Sequence, residues 1–218
     1  MRTHDFSRGV LGVDQEKRRT WSAIYAEGHA RDEPNPLAKA IAYEGWSMLR
    51  GGRMSEDEAA FREAIKLDPS FAMPHVGLGI LYEARGQFEA AARELRAAKE
   101  LDFQQVDART ELGFVLFLLG RNEEALWEFR EVLRVDPRLA RASGGLGVTL
   151  VRLGKVDEAI SAYDEALRLA PSNAYALYGR GLAKRKKGDL AGSDADLLAA
   201  KTIAPRVAEE YAAYGVRP

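Results

Sequence analysis

Residues 112–137 read LGFVLFLLGRNEEALWEFREVLRVDP and divide at Gly120 into two short helical patterns. The first is apolar on nearly every side, through Phe114, Val115, Leu116, Phe117, Leu118 and Leu119. The second opens on Glu123 and Glu124 and closes on Arg130 and Arg134. Acids in the first turn and bases in the last suit the helix macrodipole, and Pro137 then stops the helix. A helix that is hydrophobic all round needs cover on more than one side. A lone two-helix hairpin cannot supply it, so the flanking chain must.

The flanking chain does so by repetition. From Ala38 the sequence repeats every 34 residues without insertion, in units 38–71, 72–105, 106–139, 140–173 and 174–205. The eighth place of each unit is Gly45, Gly79, Gly113, Gly147 and Gly181; the fifteenth is Gly52, Gly86, Gly120, Gly154 and Gly188. The twentieth is Asp57, Ala91, Ala125, Ala159 and Ser193, and the twenty-fourth is Phe61, Leu95, Phe129, Tyr163 and Leu197. Each unit closes near Pro69, Phe103, Pro137, Pro171 or Pro205. Glycine at the fifteenth place allows the positive φ of a tight helix–helix turn. Glycine at the eighth costs about 1 kcal/mol inside a helix, so its recurrence implies close helix approach. The small twentieth residue is expected to face it, with the large twenty-fourth filling the space between adjacent hairpins.

This unit resembles the tetratricopeptide repeat, a helix–turn–helix family of the same period. The resemblance spans 38–205 and is clearest in VGLGILYEARGQFEAAARELRAAKELD (76–102) and GGLGVTLVRLGKVDEAISAYDEALRLAP (144–171). It implies an all-α, right-handed α-solenoid whose first helices line a concave groove. The end units depart from the pattern, as expected where a solenoid meets water. Glu44 stands at the seventh place of the first unit, and Arg180 and Lys184 at the seventh and eleventh of the last. Residues 206–218 are expected to form a capping helix and tail, with Val207, Tyr211 and Tyr214 laid on the fifth unit. Residues 1–37 lie outside the period and read as a partly helical arm carrying Trp21, Ile24 and Tyr25, broken by ARDEPNP.

Composition excludes little and suggests nothing exotic. The net charge is −1, so no global attraction to nucleic acid is expected. No run is long and apolar enough to insert in a membrane, and the first residues lack the apolar core of a secretory signal. Cysteine is absent. Arginine far outnumbers lysine, a bias associated with GC-rich bacterial genes, and the expected location is the cytoplasm. No catalytic constellation emerges. His4, His29 and His75 lack metal-ligand spacing. The pairs Gly145–Gly147 and Gly179–Gly181 fall mid-helix with no strand before them, which fails the test for a phosphate loop. No catalytic residue, metal ligand or cofactor is expected. Lys184, Arg185, Lys186 and Lys187 form the single basic cluster. They read as a solvated helix end, with contact to an anionic partner as the alternative.

The resemblance also implies where a partner would bind, because groove lining in the family comes from places two, five, nine, twelve and thirteen. The ninth place holds Trp46, Ile80, Phe114, Val148 and Leu182; the twelfth adds Leu49, Phe117 and Val151, and the fifth Val76 and Tyr178. That is an apolar stripe. The lysine and asparagine set with which chaperone-binding relatives hold a peptide carboxylate is absent, as is the asparagine ladder at the sixth place. The expected function is a non-enzymatic scaffold that binds an apolar peptide or amphipathic helix of another protein. The alternative is a self-associating scaffold whose arm fills its own or a neighbour's groove; an enzyme ranks third.

Overall fold

The computed structural model describes residues 34–50, 54–101 and 106–213. Among these residues the chain is all-α, with eleven helices and no strand. The arm residues Trp21, Ile24 and Tyr25, the turn glycine Gly52, Phe103 and Tyr214 lie outside them, as does the side chain of Leu49. The chain divides into two compact units, Met1–Gln105 and Val106–Pro218.

The first unit contains α1 (Pro36–Arg50), α2 (Met54–Leu67), α3 (Ala72–Ala84) and α4 (Phe88–Leu101). Helix α1 starts two residues before the period does. Asn35 caps it, its Oδ1 accepting from the backbone of Leu37 at 2.9 Å, and Pro36 occupies the first turn, where a missing N–H costs nothing. Helices α1 and α2 pair, α3 and α4 pair, and α1 and α2 both touch α3. Leu37, Ile41, Ala42, Ala60, Ala64 and Phe71 form a buried cluster in this unit.

The second unit contains α5 (Val106–Leu118), α6 (Asn122–Val135), α7 (Ala140–Arg152), α8 (Val156–Leu169), α9 (Ala174–Lys187), α10 (Leu190–Ile203) and α11 (Val207–Ala213). Three hairpins stack so that α5 touches α7 and α7 touches α9, while α6 and α8 fit against the first helix of the next hairpin. The turn glycines Gly86, Gly120, Gly154 and Gly188 adopt φ between 71° and 93°, the conformation their place requires. Helix α11 lays Val207 and Tyr211 into the unit; the Tyr211 hydroxyl donates to the Tyr175 carbonyl at 2.8 Å, and its ring tilts against Tyr178.

The glycines explain the close approach. A Cβ at Gly113 would stand 2.8 Å from the Phe129 ring, and one at Gly147 2.8 Å from Tyr163. The side chain nearest the eighth glycine is therefore the twenty-fourth residue of its own hairpin, and at Gly181 the backbone of the twentieth, Ser193, stands close as well, at 3.2 Å. The same rings also press on a second glycine, at the sixth place of the following unit: Phe61 on Gly77, Phe129 on Gly145, Tyr163 on Gly179. A further slot, between the fourth and twenty-third places, closes two of the hairpins by different chemistry. It holds His75 with Glu94 at 2.8 Å in the second repeat and the buried ion pair Arg109–Glu128 at 2.9 Å in the third. His75 thus has a structural partner.

Candidate functional site

The first helix of each hairpin carries the residues expected to line the binding face, and the structure treats them unequally. In the first unit Val76 is buried, while Trp46 and Ile80 are half-buried. Trp46 meets the Phe61 ring edge-on at 5.7 Å, and its buried Nε1 has no hydrogen-bond partner among the described residues. In the second unit Phe117, Val148, Val151, Tyr178 and Leu182 are all buried, Phe117 to 3% exposure. Only Phe114 keeps a half-exposed ring. First helices that touch one another bury most of the stripe's side chains between them.

Two arginines complete the cover. The Arg141 guanidinium lies 4.7 Å above the Phe114 ring and is held from below by both carboxylate oxygens of Glu111, one contact being 2.7 Å. The Arg152 guanidinium lies 3.8 Å from the Phe117 ring centre and donates to the Phe117 carbonyl oxygen at 2.8 Å. Partial burial lowers the pKa of Arg152 from its usual value, which leaves it cationic at any physiological pH. Phe114 is fixed on its other side by an edge contact to Phe129 at 5.0 Å. The face of the second unit is therefore arginine laid on phenylalanine, twice, each guanidinium pinned by a fixed acceptor. Such a surface can take an apolar side chain against Phe114 while offering N–H donors beside it.

The basic cluster is mostly spoken for. Lys184 pairs with Asp196 at 2.8 Å, Arg185 with Asp194 at 2.5 Å and Lys187 with Asp157 at 2.6 Å. Lys186 is exposed. Nearby, Arg180 grips Asp196 through two hydrogen bonds and reaches Asp164 at 2.8 Å. The acceptors raise its pKa, Asp196 foremost, although burial opposes them. Among the described residues no group of three or more His, Asp or Glu could hold a metal ion, and no helix is long and apolar enough to cross a membrane. Sequence reasoning missed Arg141 and Arg152, although they occupy the second and thirteenth lining places. The same count that finds Phe114 and Phe117 finds them.

The tetratricopeptide repeat family model matches residues 76–139, 119–174 and 145–208. No curated protein matches the chain. Among solved structures it is similar to YrrB, described as a TPR protein with an unusual peptide-binding site, at 22% identity and a TM-score of 0.62, covering 81% of this chain and 91% of that one. It is similar to MamA at 22% identity and a TM-score of 0.64, covering 83% and 97%. It is also similar to PilF of Pseudomonas aeruginosa at 20% identity and a TM-score of 0.68, covering 82% and 88%. At such identities these likenesses show the fold, an array of helical hairpins of the solenoid type.

Proposed function

The chain belongs to the tetratricopeptide repeat family, and from that premise we propose that it is a non-enzymatic scaffold that binds an apolar peptide or amphipathic helix of another protein on the first-helix face. One observation carries the reading. Phe114 stays half-exposed on that face although it is locked between Phe129 and Arg141, so its ring is presented in a fixed pose rather than hidden in the core. A preset aromatic anchor loses little side-chain entropy on binding. YrrB, of similar fold, is described as having a peptide-binding site, which favours peptide binding over a purely structural role. In the first unit, half-buried Trp46 and Ile80 are the corresponding anchors.

The test separates binding from folding. Phe114→Asp, at a half-exposed position, is expected to keep the helical signal and cooperative unfolding while removing the proteins that co-purify from the source cell. Phe117→Asp places a charge at a nearly fully buried position and is expected to unfold the second unit. If Phe114→Asp recovers the same proteins as the unmodified chain, the face does not bind them.

A further inference from the structure

Gly144 is a glycine without a structural reason. Every other described helical glycine is held to that size by a neighbour. A Cβ at Gly45, Gly77, Gly79, Gly113, Gly145, Gly147, Gly179 or Gly181 would collide with a twenty-fourth-place side chain, and one at Gly192 with its own cap, Asp189. At Gly144 a Cβ would meet nothing within 4 Å among the described residues. The residue sits in the fifth position of α7, inside a helix that glycine weakens relative to alanine. No φ requirement explains it either, since positive φ is confined to the turn glycines among the described residues. A helix-weakening residue facing open space is what a site needs when another chain must come close to the backbone.

The surroundings define what would come. Arg141 and Arg152 lie on α7 on either side of Gly144 along the helix axis, about 16 Å apart at 1.5 Å per residue and nearly in phase after three turns. Both are pinned, Arg141 by Glu111 and the Phe114 ring, Arg152 by the Phe117 carbonyl and ring. Lys186 holds in the next repeat the place that Arg152 holds in this one. A bare patch of backbone with an arginine on either side of it along α7 is complementary to an apolar side chain with carboxylates on either side of it.

We propose that Gly144 is the seat for one apolar side chain of a partner segment, and that Arg141 and Arg152 select segments carrying acidic residues on both sides of that side chain. The inference rests on the protein-binding reading above and names the chemistry of the partner at that same face.

A random-peptide display library panned against the full chain supplies the probe. Enriched peptides are expected to carry an apolar residue between acidic ones. By fluorescence anisotropy the best of them should bind Gly144→Leu about tenfold or more weakly than the unmodified chain, because the leucine fills the seat. Gly144→Ala should bind more nearly as the unmodified chain does. Both variants should melt at the same temperature or higher, since each removes a helix-weakening residue without a clash. Enrichment of neutral or basic peptides, no enrichment, or unchanged affinity for a folded Gly144→Leu would each overturn the proposal. Phe114→Asp keeps the two readings apart. If it abolishes peptide binding while Gly144→Leu does not, the face binds peptides and the seat is wrong. If neither variant matters, both readings fall.

Discussion

Phe129 sets the size of two glycines at once. Its ring lies against Gly113 in its own hairpin and against Gly145 in the next, where an added Cβ would fall well inside van der Waals contact of the ring tip. Gly145→Ala is therefore expected to cost about 1–3 kcal/mol by urea unfolding, because the ring must leave its rotamer or the helices must part. The cost should shrink in a Phe129→Leu background, where the ring tip is gone; strictly additive losses in the double variant would show that the ring is not what excludes the methyl group. The period alone identified the eighth-place glycines as points of close approach, yet it did not name the nearest side chain. The twentieth and twenty-fourth places lie one turn apart on the same helix face, so spacing indicates the face without indicating which side chain reaches across. The longer one does. The sixth-place glycines were visible in the sequence as well, and their meaning was in the pairing. Each follows an aromatic twenty-fourth residue, whereas Leu95 is followed at the sixth place by Glu111.

Between helices, the last complete hairpin shows how charge can fill a core position. Arg180 and Lys184 were expected to depart from the pattern because a terminal repeat faces water; instead both are tied to Asp196 on α10, with distances of 2.6 Å and 2.8 Å. Asp196 occupies the slot that holds Glu94 and Glu128 in earlier repeats. Burial by itself would raise its pKa, but the hydrogen bonds from Arg180 and Lys184 outweigh burial and hold the carboxyl below its ordinary range. The sign of the linkage follows. A carboxyl whose pKa is lower folded than unfolded adds stability that is complete above the unfolded value of about 3.9 and is lost as pH falls through the folded one. Asp196→Asn is expected to cost about 2 kcal/mol at neutral pH, discounted for the partial exposure of Arg180 and Lys184. It should also flatten the acid limb of the stability curve below about pH 4. An acid limb as steep as that of the unmodified chain would assign the loss to other carboxylates. The pairing itself escaped the sequence because a seventh, an eleventh and a twenty-third place share no obvious register until the hairpin is closed.

Across the whole chain, the period carried the fold and left the burial of the binding face unstated. A repeat count says which side chains share a face, and Phe114, Val148 and Leu182 do share one; it does not say how deeply each is covered, and the structure buries Val148 and Leu182 while Phe114 is only half-buried. The period does not show the division into Met1–Gln105 and Val106–Pro218 either, although the closing proline gives way to Phe103 just before the boundary. Repeat arrays are stabilised by nearest-neighbour terms, so two compact units need not melt together. Gly145→Val places a branched side chain against Phe129 and loads its whole cost onto the second unit. Hydrogen exchange read by mass spectrometry is expected to show faster exchange for peptides of 106–213 in this variant, with peptides of 54–101 unchanged. The fragment 106–218 should reproduce the variant's shift when carrying the same substitution, since its hairpins α5 to α10 contain every contact the substitution disturbs. Loss of protection in 54–101 by the same factor would mean that the two units open as one cooperative body, and the boundary would then mark a change in packing rather than a change in stability.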